Sequence, residues 1–385
     1  MREFQRMRIG VDGRPFMLRA TGVRRYATEL CRHLDRLIPD AAFFVYAPAP
    51  IVPPVRSPRW IARIDSSRAA RTLNRGMWLA LLAGRMCRRD RLDVFWGVVT
   101  LLPILGRRVK AVSTVHDLNH MIVPFTMAAS DLWGRRLLYR PALARANEIV
   151  TNSRGTADRM RAAYGRIATA IVRPGVSPEF APQPRAVVDA CLEKYGLKRP
   201  YLLAVGTRQP RKNFEALVET FMQMKSEGLL PAHSLAMAGS RGWKDDRLRA
   251  LIERGISAGV VVLDYVDQDD LPALYTGADA MVFPSLYEGF GMPVLEARAC
   301  GTTVVTTDIP ELREAGGDDA VYIAPTPAGI HEGIRAALEG GFRPRPRREA
   351  LPSWEAGAAA LARVFTGEGG VDARGELAIA SQTRA

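Results

Sequence analysis

Tyr201-Leu-Leu-Ala-Val-Gly-Thr-Arg-Gln-Pro-Arg-Lys-Asn213 is the stretch whose reading decides the fold. Tyr201–Val205 is apolar at every position, where a strand with one wet face would alternate. Gly206 ends the run, and a helical pattern takes over from Phe214 to Met224. A strand buried on both faces, followed by a turn and a helix, is the unit of a parallel sheet covered by helices.

The same unit recurs in both directions. In the first half, strand-like runs fall at Arg8–Asp12, Phe43–Ala47, Val109–Val115, Glu148–Thr151 and Ala170–Arg173. In the second they fall at Ser234–Gly239, Val260–Leu263, Ala280–Pro284, Thr303–Thr306 and Ala320–Ile323. Helical patterns such as Val23–Leu37 and Asp270–Thr276 lie between them. Arg173-Pro-Gly-Val-Ser-Pro-Glu-Phe-Ala-Pro-Gln-Pro184 holds four prolines and continues neither pattern. The expected class is therefore α/β, with two Rossmann-like, doubly wound domains facing across a cleft. Their expected bounds are residues 1–175 and 201–350, joined by a linker over 176–200. A capped helix over 351–365 is expected to pack back on the first domain. Residues 366–385 are polar and Gly-rich and read as disordered.

Bulk composition excludes several classes. Of 385 residues, 48% are hydrophobic and 24% charged, as in ordinary globular chains. Cys31, Cys87, Cys191 and Cys300 are scattered, which argues against a zinc site or a disulfide framework. The longest apolar candidate for a membrane span, Val94–Gly106, contains Thr100 and Pro103. It falls short of the roughly 20 residues a span needs and reads as a buried strand running into a loop. The N-terminus has no apolar leader core, so the expected location is cytoplasmic. The net charge is +14, and residues 1–175 hold 31 Lys and Arg against 12 Asp and Glu. The remainder holds 23 against 28, so all the excess positive charge lies in the first half. An anionic partner for that half would explain this, as would an arginine-rich coding bias.

The chemistry concentrates in four places. In Ser285-Leu-Tyr-Glu-Gly-Phe-Gly-Met-Pro-Val-Leu-Glu296, Gly289 and Gly291 permit a tight loop and Pro293 suits a first helical turn. Glu288 is then expected in a loop at a helix entrance, with Glu296 in the first turn beyond it. Free N–H groups and a partial positive charge lie between the two carboxylates. An anion flanked by hydroxyl groups, such as a nucleotide sugar, would fit there. Arg211 and Lys212 follow a buried strand and precede a helix, a natural place to hold phosphate. Gly22 opens a helix after the first strand. His116 ends the strand Val109–Val115 and is one of only five histidines. On its own it reads equally as a structural histidine or as a residue projecting into the cleft.

Glu288-Gly-Phe-Gly-Met-Pro-Val-Leu-Glu296 resembles the Glu-x7-Glu motif of retaining GT-B glycosyltransferases of family GT4, the group 1 glycosyl transferases. Thr21-Gly-Val-Arg-Arg-Tyr26, His116-Asp117, Val205–Asn213, Asp270–Asp279 and Ala299–Val304 resemble that family too, in its order, over about Met7 to Phe365. The resemblance implies a mannosyltransferase-like enzyme of GT-B fold. By it, Glu288 contacts the transferred sugar, and Glu296 accepts hydrogen bonds from the donor ribose. Gly206, Thr207 and Gly289 belong to the donor site, where backbone N–H groups of Phe290, Gly291 and Met292 reach sugar and diphosphate. Arg211 and Lys212 neutralise the departing diphosphate, Gly22 approaches it from the other domain, and His116 holds the sugar.

There are two departures from the family pattern. Thr207 stands where some relatives carry arginine, with Arg208 next, and Arg24 replaces a glycine. The implied reaction is transfer of a hexose with retention, from GDP-mannose first and UDP-glucose second. The acceptor is a saccharide or lipid-linked molecule in cell-surface polysaccharide or glycolipid synthesis. No cofactor or metal is expected. Asp267-Gln-Asp269 superficially matches a metal-binding Asp-x-Asp, but reads as N-terminal capping of the helix Asp270–Thr276.

Arg68, Arg71, Arg75, Arg85, Arg88, Arg89 and Arg91 bracket the apolar stretch Met77–Leu82, which contains Trp78. This is a basic amphipathic surface suited to anionic lipid on the inner face of the cytoplasmic membrane, or an ordinary helix with a solvated basic face. The rival functions are a GT-B sugar-nucleotide epimerase, a phosphorylase, or a nucleic-acid-binding protein. The last lacks stacking aromatics among its basic residues, so no nucleic acid is expected. The sequence leaves the oligomeric state open.

Overall fold

The computed structural model describes residues 6–18, 21–340 and 351–368. Their contacts divide them into two compact units. Unit 1 takes the described residues within 1–118, 133–175 and 352–385, and unit 2 takes 119–132 and 176–351. Most of the tail read as disordered, and the first five residues, lie outside the described residues.

Unit 1 is built on β1 (Arg8–Asp12), β2 (Ala42–Ala47), β3 (Trp60–Ile64), β4 (Val94–Gly97), β5 (Lys110–Val115), β6 (Glu148–Thr151) and β7 (Ala170–Ile171). Among the described residues these form one sheet in the order β3-β2-β1-β4-β5-β6-β7, parallel throughout. Chain order reverses between β1 and β4. Central strands such as β4 are buried at every residue, which is why they read clearly as apolar runs. The sequence reading missed β3, and its place at the sheet edge explains why. Only Trp60 of Trp60-Ile-Ala-Arg-Ile64 is fully buried, and Arg63 leaves the strand to pair with Asp90 at 2.8 Å.

The arginine-rich segment forms three short helices, Arg68–Thr72, Arg75–Leu81 and Ala83–Arg89. Arg68, Arg71, Arg75, Arg85, Arg88, Arg89 and Arg91 are all exposed, as are Met77 and Leu81. Trp78 is fully buried and donates its indole N–H to Asp65 at 2.8 Å, so it belongs to the core and not to the basic surface. The helix Trp354–Thr366 groups with unit 1 and lies against Gly22–Leu37. Ser353 caps its N-terminus by accepting from the Ala356 N–H at 3.1 Å, and Lys110 Nζ donates to the Val364 carbonyl at 2.8 Å.

Unit 2 is built on β8 (Tyr201–Val205), β9 (Ser234–Ala238), β10 (Val260–Asp264), β11 (Ala280–Phe283), β12 (Val304–Thr307) and β13 (Ala320–Ile323). Its described sheet runs β10-β9-β8-β11-β12-β13, again parallel, with the reversal between β8 and β11. The short excursion Asn119–Leu132 also groups here, which nothing in its sequence announces. Trp243 Nε1 donates to the Thr126 carbonyl at 2.9 Å, and Lys244 Nζ donates to those of Phe125 and Met127 at 3.2 and 3.0 Å.

Candidate active site

In a doubly wound sheet, ligands bind beyond the carboxyl ends of the strands where chain order reverses. In unit 2 that point lies beyond β8 and β11, and Arg211, Lys212 and Glu288 meet there. Gly206 ends β8 at φ +145°, and a Cβ on it would lie 3.2 Å from Lys212 Cε. The turn Pro210–Lys212 follows, and Asn213 in the left-handed region (φ 58°) hands the chain to the helix Phe214–Ser226. This turn folds Lys212 inward, so that its Nζ sits 2.6 Å from Glu288 Oε1 and 4.3 Å from the centre of the Phe283 ring. Arg211 reaches the same carboxylate oxygen at 2.5 Å and the Tyr287 carbonyl at 3.1 Å. The Leu286 N–H donates back to the Arg211 carbonyl at 2.8 Å, tying the basic turn to the loop after β11.

Glu288 and Lys212 are only 7% and 6% exposed, so their charges act with little solvent screening. Burial alone would raise the Glu288 carboxyl, but Arg211 and then Lys212 outweigh it and hold it at about 2. Burial pushes the Lys212 ammonium down to about 8, with Glu288 opposing and Arg211 adding to the fall. The ionised knot is two cations on one carboxylate, with one positive charge left over.

Gly291 turns the chain into the helix Met292–Ala299 at φ +103°, and a Cβ there would meet Leu312 Cδ2 at 2.5 Å. Only glycine meets both demands. Phe290 is buried, while Gly289 and Met292 are partly accessible. Glu296 is the fifth helical residue, just beyond the first turn rather than within it. Its buried carboxylate accepts from the Tyr275 hydroxyl at 3.0 Å. The two glutamates thus have separate partners.

Arg208 is buried in a structural role. It donates to Asp264 at 2.9 Å and to the Gly239 carbonyl at 3.2 Å. Thr207 is half-buried in the same turn. The capping reading of Asp267-Gln-Asp269 is corrected. Asp270 is the N-cap of the helix Leu271–Gly277 and makes no side-chain cap bond. Lys194 instead draws in Asp270 and Asp267, at 2.5 and 3.4 Å. Sequence reasoning missed Tyr275, although it lies in the family-like stretch Asp270–Asp279, and Asp264, because each finds its partner only through the fold.

The other residues the sequence singles out, His116 and Gly22, belong to unit 1. His116 follows β5, with Nε2 2.8 Å from the Val98 carbonyl and its ring edge-on to Tyr26 at 4.9 Å. Burial pushes its pKa down, and the Val98 carbonyl requires a proton on Nε2. Gly22 is the first residue of the helix Gly22–Leu37, which Thr21 caps by accepting from the Arg24 N–H at 3.2 Å. The Arg24 side chain is spent on the Leu18 carbonyl at 2.6 Å. Among the described residues, no helix is long and apolar enough to cross a membrane.

Known proteins match both units. Residues 20–180 match the profile "Glycosyltransferase Family 4", and residues 193–351 match "Glycosyl transferases group 1". The chain is 29% identical over 348 residues to O-antigen chain mannosyltransferase B of Escherichia coli, covering 83% of this chain and 87% of that one. Its fold is similar to that of sucrose-phosphate synthase from Thermosynechococcus elongatus, with a TM-score of 0.74 and 18% identity over 94% of this chain and 99% of that one. It is also similar to Anabaena HepE in complex with UDP and glucose, with a TM-score of 0.65 and 15% identity over 94% and 95%. Two parallel-sheet units, the motif residues at the strand reversal and these matches converge: the chain is a glycosyltransferase of family GT4, the group 1 glycosyl transferases, with the GT-B fold.

Proposed function

We propose that the protein transfers a hexose, with retention of the α linkage, from a nucleotide diphosphate sugar to a saccharide or lipid-linked acceptor in cell-surface polysaccharide synthesis. The buried Arg211–Lys212–Glu288 knot carries this reading. Cleaving the donor's anomeric C–O bond leaves negative charge on the diphosphate, and prepositioned cations in a dry site stabilise that charge best. Arg211 and Lys212 are such cations. Glu288 holds them in place before the donor arrives and turns toward the transferred sugar. Glu296, oriented by Tyr275, takes the ribose hydroxyls, and His116 steadies the sugar. Mannose from GDP-mannose is the first choice, supported by the likeness to the E. coli mannosyltransferase, and UDP-glucose the second.

With this charge supplied by side chains and a helix N-terminus, the reaction needs no metal. Stripping the protein with EDTA is expected to leave turnover unchanged, and a loss restored by Mg²⁺ would contradict it. The exposed arginines between Arg68 and Arg91 hold the enzyme against an anionic cytoplasmic membrane face, where a lipid-linked acceptor would lie. A donor screen that follows nucleotide diphosphate release, with and without saccharide acceptors, tests the reaction. NMR of the product's anomeric centre tests retention. Release without any glycosylated product would refute transfer, and a β-linked product would refute retention.

A further inference from the structure

Glu288 occupies the very cations that a diphosphate needs. Arg211 and Lys212 close on one and the same oxygen, Glu288 Oε1, at 2.5 and 2.6 Å. Both cations are also held from behind. Arg211 donates to the Tyr287 carbonyl at 3.1 Å, and the Lys212 ammonium sits 4.3 Å from the centre of the fully buried Phe283 ring. The cations therefore stay where they are, and the anion between them is what exchanges.

That exchange is a competition. A diphosphate that takes the two cations takes them from Glu288. It then leaves a carboxylate in a site that water barely reaches, beside its own negative charge. Both effects weaken binding, because a buried carboxylate stripped of its partners is costly and like charges repel strongly where screening is poor. A nucleotide sugar repairs the loss. A hydroxyl of its sugar donates to the released carboxylate, and a hydrogen bond to a charged acceptor is of the stronger kind. A nucleoside diphosphate brings no sugar to that place, so Glu288 stays unpaired beside it.

Transfer gives this difference a use. Cleavage of the anomeric C–O bond leaves the diphosphate with more negative charge than it carried in the donor. Two cations without a competing carboxylate would then hold the product more firmly than the donor. We infer that Glu288 reverses this order: by competing for Arg211 and Lys212 it makes the site prefer the nucleotide sugar to the nucleoside diphosphate, and it drives the product out once the sugar has left. The inference rests on the transferase reading above.

Titration of the full-length protein with GDP and GDP-mannose, and with UDP and UDP-glucose, tests it without acceptor. The titrations run at about pH 6, where Lys212, with its pKa pushed down to about 8, keeps its proton. In the pair that the site takes, the wild type is expected to bind the nucleotide sugar more tightly than the diphosphate. Glu288→Gln keeps the shape and loses the charge. It should bind the diphosphate about tenfold more tightly than the wild type, with a smaller gain or none for the nucleotide sugar. Two buried cations without their carboxylate repel each other and threaten folding, so the comparison is repeated in an Arg211→Gln background, where that repulsion is gone. The same tightening is expected when Glu288→Gln is added there. Gly22 and His116, to which the resemblance gives contacts with diphosphate and sugar, are unchanged in all of these proteins and enter every comparison equally. Diphosphate binding that is unchanged or weaker on loss of the Glu288 charge would overturn the inference, as would a wild type that prefers the diphosphate. If instead no nucleotide of either pair binds any of these proteins, the donor reading itself falls, and this inference with it.

Discussion

At the residue scale, Glu288 and Lys212 set each other's charge. Glu288 keeps Lys212 protonated against burial, and the cations keep Glu288 ionised. The wild-type kcat/KM for donor is therefore expected to be flat below about 8 and to fall above it as Lys212 loses its proton. Because the Glu288 charge raises the Lys212 pKa, Glu288→Gln should move that alkaline limb to lower pH. A pH–rate profile of the two proteins checks the shift, and coincident limbs would argue against the coupling. Glu288, Glu296, Arg211 and Lys212 were legible in the sequence because local spacing places them around a loop and a helix start. The partners of Glu296 and Arg208 were not. Tyr275 reaches Glu296 from another helix, and Asp264, which fixes Arg208, lies 56 residues further along the chain.

At the element scale, the loop-to-helix turn at Gly291 is the most demanding local geometry of the site. Gly291→Ala would combine a left-handed backbone with a methyl group 2.5 Å from Leu312 Cδ2. The expected loss is about 2 kcal/mol of stability or more, together with weaker donor binding. Denaturant unfolding and nucleotide-sugar titration of that variant measure the two effects. Strands were readable in proportion to their burial. β8 is apolar at all five positions, whereas edge strand β3 mixes Arg63 with half-buried residues and lost the signature. The Asp267–Asp270 region looked like a cap because the sequence does not reveal Lys194, which draws two of those carboxylates away.

At the scale of the whole molecule, two parallel-sheet units carry different kinds of chemistry at their strand reversals. Unit 2 holds a buried excess positive charge in the Arg211–Lys212–Glu288 knot, and unit 1 holds the paired charges Arg14–Asp12 and Arg135–Asp117. The charge asymmetry seen in the sequence is partly explained by the exposed arginines of residues 68–91. Flotation with anionic vesicles is expected to bring the protein up at low salt and release it at high salt. Replacing Arg85, Arg88 and Arg89 with glutamine should weaken that attachment, each basic residue contributing about 1 kcal/mol. Flotation indifferent to salt and to these changes would remove the membrane role. The central claim, that the Arg211–Lys212–Glu288 knot holds and activates the nucleotide-sugar donor, is met most directly by one rate. Nucleotide diphosphate release from GDP-mannose and UDP-glucose, with acceptor, should fall at least about 100-fold in Glu288→Ala relative to wild type, and undiminished release from that variant would contradict the account.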